Sequence, residues 1–274
     1  MDHRADEVLS SARRPRVRTW RRTLRALALT GRARDAHPGA GRSGDLLALG
    51  PGPSATALKE DHGPLAPPRL RHPRQGRLGD CWLIAPMLAV HETAPDRLRQ
   101  LLSEDADGTV TVRLPGASAP IRVDRRLPVD ARGAFQYGRR DGANPGWVGV
   151  LEKAIAAHIA GDYAFLQRGF ARFGFELLLG ERVRTRLRLP SAAQIITWRR
   201  EGRAVAASTH PLSRWVPTDS GPLPANHVFA VVGADARSGH VHLRNPVRPE
   251  ELLVLDARRF RRGFLTVDVT GPLG

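Results

Sequence analysis

The chain holds one cysteine, Cys81, set in Gln75-Gly76-Arg77-Leu78-Gly79-Asp80-Cys81-Trp82 and followed by the apolar stretch Trp82 to Val90. A Gly-Asp pair running straight into an apolar stretch reads as a loop that delivers a thiol to the start of a buried helix. There the thiol faces backbone N–H groups without intrahelical partners and the positive end of the helix dipole. Both favour the thiolate, the nucleophilic form. A cysteine nucleophile also needs a base to take its proton, a third group to hold that base, and donors for the oxyanion of the tetrahedral intermediate. His227 is the candidate base, because it opens the apolar strand His227-Val228-Phe229-Ala230-Val231-Val232 beside the Pro- and Gly-rich loop from Pro217 to Pro224. Asn245 closes the next strand, in Leu243-Arg244-Asn245-Pro246. If those strands pair as a hairpin, the mouth of the first lies beside the end of the second, and His227 and Asn245 become neighbours. Gln75, upstream of Cys81 in the same loop, offers a side-chain amide to the oxyanion alongside the backbone N–H of Cys81. Taken singly these are a small buried hydrophobe, the polar end of a strand, an Asn-Pro turn and a loop residue. Their combination, in this order, points to acyl-transfer chemistry.

The elements that must position them are legible in outline. Cys81 to Val90 reads as a buried helix continuing toward Leu102, with a break near Pro95. Thr109 to Leu114 and Ile121 to Val123 read as strands, the first entered through an Asp107-Gly108 turn. Trp147 to Ile159 places Val148, Leu151, Ile155 and Ile159 at helical spacing. Phe170 to Leu179 reads as a helix ended by Gly180, and Ser191 to Arg200 as one closed by Gly202. Strands then dominate: Ala204 to Ser208, His227 to Val232, Val241 to Arg244, Leu252 to Leu255 and Leu265 to Val269, with a hairpin turn over Asp235 to Gly239. Helices first and strands later predict a segregated α+β fold.

Residues 1–70 differ in character. Arg13-Arg14-Pro15-Arg16-Val17-Arg18 and Trp20-Arg21-Arg22 form a basic run, followed by the breaker-rich His37-Pro38-Gly39-Ala40-Gly41 and Gly50-Pro51-Gly52-Pro53-Ser54. This predicts a mobile basic, Pro/Gly-rich arm, with at most a short helix over Thr23 to Thr30, ahead of a globular domain over 71–274. The arm is suited to an acidic partner. The net charge of +16 does not by itself argue for nucleic acid: Lys59 and Lys153 are the only lysines, and the remaining basic residues are scattered arginines. That bias fits a GC-rich bacterial genome as well as it fits phosphate contacts. A single cysteine excludes an intrachain disulfide. No apolar run approaches the roughly 18 residues of a transmembrane segment, and Leu24 to Leu29 is too short and too charged for a secretory signal. The expected location is the cytoplasm, although a specialised export route would leave no mark of this kind.

Several segments carry a resemblance. Gln75 to Ala85 resembles the nucleophile segment of the calpain family of cysteine peptidases. In the family's order, Ile121-Arg122-Val123-Asp124-Arg125-Arg126-Leu127-Pro128-Val129-Asp130 is similar to its strand and Asp-Arg-Leu-Pro segment. Trp147-Val148-Gly149-Val150-Leu151-Glu152-Lys153-Ala154, with Gly161-Asp162-Tyr163, is similar to its Trp-x-x-x-Leu-Glu-Lys-Ala helix. Ala204 to Thr209, His227 to Val231 and Leu243 to Pro246 resemble the strand before the histidine loop and the histidine and asparagine segments. The resemblance covers about residues 71 to 269. It implies a papain-like core, with a helical nucleophile subdomain and an antiparallel β subdomain enclosing a substrate cleft. It also implies a calpain-like endopeptidase acting on protein or peptide substrates, with Cys81 as nucleophile, His227 as general acid/base, Asn245 as its orienter and Gln75 as oxyanion donor. Two positions depart from the family. Val247 and Arg248 stand where it usually has Trp and Gly, the Trp shielding the His–Asn hydrogen bond, and Pro86 falls inside the nucleophile helix. The resemblance brings in calcium, which aligns the two subdomains in the animal enzymes, but no D-x-D-x-D-G loop is present. Two further functions share these residues: a weakened or inactive homologue that binds proteins, and a thiol acyltransferase or amidase.

Overall fold

The computed structural model describes residues 45–65 and 71–274. The basic run and the Thr23 to Thr30 segment lie outside the described residues. The elements are, in chain order, β1 (Ala57–Glu60), α1 (Cys81–His91), α2 (Pro95–Arg99), β2 (Leu102–Glu104), β3 (Val110–Val112), β4 (Ile121–Val123) and β5 (Arg126–Val129). There follow α3 (Gly146–Ile159), a 3-10 turn (Tyr163–Leu166), α4 (Ala171–Leu179), β6 (Arg184–Arg186), α5 (Ala192–Arg200) and β7 (Arg203–Thr209). A second 3-10 turn (Ser213–Trp215), β8 (Pro217–Thr218), β9 (Gly221–Pro222), β10 (Val228–Ala234), β11 (Val241–Asn245), β12 (Arg248–Leu255), α6 (Ala257–Gly263) and β13 (Phe264–Pro272) complete the chain. None of these helices is long and apolar enough to cross a membrane.

The α+β expectation holds. The first half is helical, with α1, α3 and α4 beside the small sheet β2-β3-β4, and the second half is a six-stranded antiparallel sheet in the order β12-β11-β10-β7-β13-β6. The core of the sheet half is aliphatic and aromatic: Phe229, Val231, Leu243, Phe260, Phe264 and Val267 are among its buried members. The hairpin expected around Asp235 to Gly239 is present, since β10 pairs with β11 and Asp235 N–H donates to the His240 carbonyl at 2.9 Å.

Every residue of α1 from Trp82 to His91 is buried. A helix apolar on all sides belongs inside the molecule, and α1 is wedged between α4 and the strands β10 and β7. Helix α1 is thus the element shared by both halves. Pro86 removes one backbone donor and leaves the Trp82 carbonyl without its usual i+4 partner, yet the helix runs unbroken to His91. Gly174 of α4 lies over that spot, where a Cβ would come within 2.5 Å of the Trp82 oxygen and 2.9 Å of Pro86 Cγ. Close packing against α4 therefore covers the turn that Pro86 interrupts.

One strand lies inside the stretch read as an arm. β1 pairs with β5, from Ala57 opposite Val129 to Glu60 opposite Arg126. Just beyond it, buried Asp61 sits 3.4 Å from Arg125. The strand is mostly exposed, so it shows no apolar alternation to betray it.

A short extended segment, residues 72–77, joins the halves through backbone bonds. On the helical side Arg74 exchanges hydrogen bonds with Arg139 at 2.7 and 2.9 Å, and Arg77 N–H donates to the Gln136 carbonyl at 2.8 Å. On the sheet side Gln75 N–H donates to the Pro246 carbonyl at 2.8 Å, and Arg74 Nε to the Val247 carbonyl at 3.0 Å. Gly76 makes this approach possible, because a Cβ there would overlap the backbone oxygens of Gln136 and Tyr137. Neither oxygen can swing aside as a side chain would. Gly76→Ala is accordingly expected to destabilise the domain by about 1–3 kcal/mol, measured by urea unfolding, whereas Gly133→Ala, with open space around it, meets only the strain that a φ of 74° puts on an alanine.

Candidate active site

The chain brings His227 and Asn245 together as the hairpin predicts. Asn245 ends β11, His227 immediately precedes β10, and His227 Nε2 lies 2.9 Å from Asn245 Oδ1. The same oxygen accepts the backbone N–H of Val247 at 3.0 Å. An oxygen can only accept, so Nε2 must carry the proton, and Nδ1 is left with a lone pair. This is the tautomer a general base requires. The edge of Phe229 meets the imidazole at 5.1 Å between ring centroids. Burial depresses the pKa of His227, and the Asn245 bond only partly offsets it. The ring is therefore neutral and able to accept a proton through the neutral range.

Cys81 begins α1, half-buried and unpaired to any other cysteine. Strand geometry brings it to the histidine's strand. The His227 carbonyl accepts Thr209 N–H at 2.8 Å on the β7 side, so Val228 turns its own N–H the other way. β11 has already ended there, and the Pro246 carbonyl is given to Gln75, so the Val228 N–H is free to meet the thiol. The backbone N–H groups of Trp82 and Cys81 itself also favour the thiolate. Burial outweighs all three and pushes the thiol up to about 11, with the nearby Asp80 charge adding to the rise. This reverses the thiolate expected from a helix start. Among the described residues no hydrogen bond joins Cys81 to His227, so in this arrangement the pair rests as neutral thiol and neutral imidazole.

Gln75 is buried in the loop before Cys81. Its backbone is fixed by Pro246, its Nε2 donates to the Leu78 carbonyl at 2.6 Å, and its Oε1 has no protein partner. One amide N–H thus anchors the side chain, and the amide also faces the buried Asp80 carboxylate. The four residues named from the sequence are all held at the junction of the two halves, Gln75 and Cys81 from the helical side and His227 and Asn245 from the sheet.

Three other residues near the site, Asp80, Glu152 and Lys153, carried no individual role in the sequence. Asp80 is fully buried and lies against both Glu152 and Gln75. Glu152, also buried, accepts Gly138 N–H at 2.9 Å. Burial raises Asp80 to about 6, and burial together with the Asp80 charge raises Glu152 well above the usual carboxylate range. The two carboxyls therefore hold one proton between them, resident on Glu152. Lys153, next in the helix, donates to Asp124 at 2.6 Å and to the Arg126 carbonyl at 2.8 Å. Trp82 is buried with Nε1 on the Leu166 carbonyl at 2.6 Å. The Glu-Lys pair of α3 was visible as a motif, but its targets, Asp80 and Asp124, come together only in three dimensions. Among the described residues no three His, Cys, Asp or Glu side chains converge on a point that would hold a metal ion.

Comparison with known proteins places this geometry in context. The model of the calpain family of cysteine proteases matches residues 70–251. The calpain-type cysteine protease DEK1 of Arabidopsis thaliana is 26% identical over 190 residues, covering 63% of this chain and 9% of that protein. The calpain-type cysteine protease ADL1 of Oryza sativa subsp. japonica is likewise 26% identical over 190 residues and is covered to 9%. Human calpain-14 is 34% identical over 102 residues, 35% of this chain and 15% of that protein. The chain thus spans only a small part of the length of these relatives. With the matched region running through the Cys81 loop, α3 and the His227–Asn245 hairpin, the chain belongs to the calpain family of cysteine proteases.

Proposed function

We propose that this domain is a papain-like cysteine endopeptidase that hydrolyses peptide bonds through Cys81, His227 and Asn245. The observation that carries the reading is the doubly committed Asn245 oxygen, which holds the imidazole as the Nε2–H tautomer with Nδ1 open for a proton. As substrate enters, His227 Nδ1 takes the thiol proton and Sγ attacks the peptide carbonyl carbon. The oxyanion is met by the Cys81 N–H and by the Gln75 side-chain amide. A donor of this kind is worth about 3–4 kcal/mol in the transition state. The imidazolium returns its proton to the departing amine, leaving a thioester. Water then gives a proton to His227 and its oxygen to the acyl carbon, and the thiol is released. The substrates are protein or peptide chains bound along the junction of the two halves.

Incubation with a loosely folded protein and an added amine tests the reaction. New termini that are free carboxylates mean water is the acceptor. Products carrying the amine mean acyl transfer by the same triad. A second reading, a homologue that binds proteins with little turnover, is favoured by the raised thiol and by Val247, which is 39% exposed beside the His–Asn bond. Val247→Trp separates the two. Covering that bond strengthens it by a fraction of a hydrogen bond's net worth, so kcat should rise roughly two- to fivefold in a working peptidase. A parent without measurable turnover that stays silent in Val247→Trp supports the binding reading.

A further inference from the structure

Four charged side chains outside the candidate triad meet where the halves of the domain join. His72 Nε2 lies 2.8 Å from Glu92 Oε1, and His72 Nδ1 lies 3.1 Å from Glu250 Oε2. Arg244 Nε lies 2.6 Å from the same Glu92 oxygen. The two contacts to Glu92 are short but off the line of the N–H bonds, so they are charge pairs rather than aligned hydrogen bonds. His72, Glu92 and Arg244 are largely buried, whereas Glu250 is 71% exposed. Each residue is attached to something the candidate site needs. His72 starts the extended segment that carries Gln75. Glu92 caps the far end of α1, whose first residue is Cys81. Arg244 precedes Asn245 on β11, and Glu250 lies on neighbouring β12.

The ring geometry fixes the charge of His72. Both nitrogens lie within 3.1 Å of carboxylate oxygens, so a neutral ring would leave one of them without a positive charge to pair with. His72 must hold two protons to make both contacts.

We infer that His72, Glu92, Arg244 and Glu250 form a proton-dependent clasp across the two halves, and that through it these residues position Gln75 and Asn245 for the proposed peptidase reaction. The inference rests on that reading for its effect on rate, but the clasp itself does not.

The charged groups facing His72 are Glu92, Glu250 and Arg244, and the ring of His91 meets it edge-on at 5.6 Å. Contact with Glu92 raises the pKa of His72; burial opposes this, Glu250 adds to it and Arg244 subtracts. Burial pushes Glu92 up, but His72 and Arg244 outweigh it and hold it below the usual carboxylate range. A basic group raised on folding contributes fully below its unfolded pKa, near 6.5, and its contribution is lost as pH rises through the folded value. The clasp is therefore closed on the acid side of neutrality and opens toward alkaline pH. Glu250 is the first contact to go, because it is the longer and more exposed one, while Glu92 keeps Arg244.

The test has two arms. In the first, kcat/KM of the parent is compared with His72→Gln and with the milder Glu250→Gln across the pH range. His72→Gln should be on the order of tenfold slower at about pH 6 and within about twofold at about pH 9, the loss lying in kcat. A parent-to-variant ratio that stays constant with pH overturns the inference. In the second arm, imidazole and side-chain amide resonances are followed by NMR in the Cys81→Ala protein, with His72 assigned by its absence in His72→Gln. His72 should titrate above 6.5 and fall by about one unit in Glu92→Gln, and the Gln75 and Asn245 amides should shift with the same midpoint. If His72 titrates at or below its ordinary value, or those amides ignore it, the clasp does not exist. Should the parent cleave nothing, the peptidase reading fails and the second arm still decides the clasp.

Discussion

Cys81→Ala should lose roughly ten-thousandfold or more in kcat/KM on any cleaved substrate while keeping its fold. The chain contains no second thiol to replace it, and removing Sγ frees only the Val228 N–H among its strand contacts. Unfolding midpoints of parent and variant should therefore lie close together, which separates loss of chemistry from loss of structure. Cys81→Ser keeps the geometry but carries a hydroxyl that His227 must deprotonate against a much higher pKa, and it should be nearly as slow. Cleavage by Cys81→Ala at the parental rate would rule out the thioester route altogether.

The second large effect is expected at His227. His227→Ala removes the acceptor for the thiol proton, and with the thiol pushed up to about 11 few molecules are thiolate near neutrality. A loss of roughly a thousandfold in kcat is expected, with a smaller one in Asn245→Ala, where the base remains but its tautomer is no longer imposed. The pH profile follows from the same two groups. The productive state carries one proton shared by thiol and imidazole. It is lost in acid when the depressed His227 takes up a second proton, and in alkali when the raised thiol gives up the only one. The two pKa values are driven apart, so His72→Gln, which lacks the clasp, should show a broad plateau. The parent should show the same acid limb with an added decline as the clasp opens.

How much of this was legible in the sequence can be judged residue by residue. The hairpin that joins His227 to Asn245 was readable because a strand-length apolar run and an Asp-to-Gly turn are local signals. The helix from Cys81 was readable from an apolar run and the break before Pro95 from the proline, whereas the continuation toward Leu102 gives way to β2. The segment 72–77 was not readable, because its pairing uses backbone atoms of an Arg- and Pro-containing loop and shows no side-chain pattern. β1 escaped for the same reason, as a largely exposed strand at an edge. The clasp draws on four separate places in the chain, so no spacing announces it. The resting thiol was misjudged in an instructive way. The helix-start effect is local and visible in Gly-Asp-Cys, whereas burial by β10 and α4 is tertiary and larger.

The central claim, that Cys81 is a nucleophile activated by His227, is most directly tested by alkylating Cys81 with a peptidyl chloromethyl ketone across the pH range, in the parent and in His227→Ala. With a single thiol, the mass shift reports one site. The account predicts rapid, stoichiometric modification of the parent near neutral pH. In His227→Ala the rate should be at least about a hundredfold lower there and climb only toward the alkaline titration of the buried thiol. Superimposable profiles for the two proteins would contradict it.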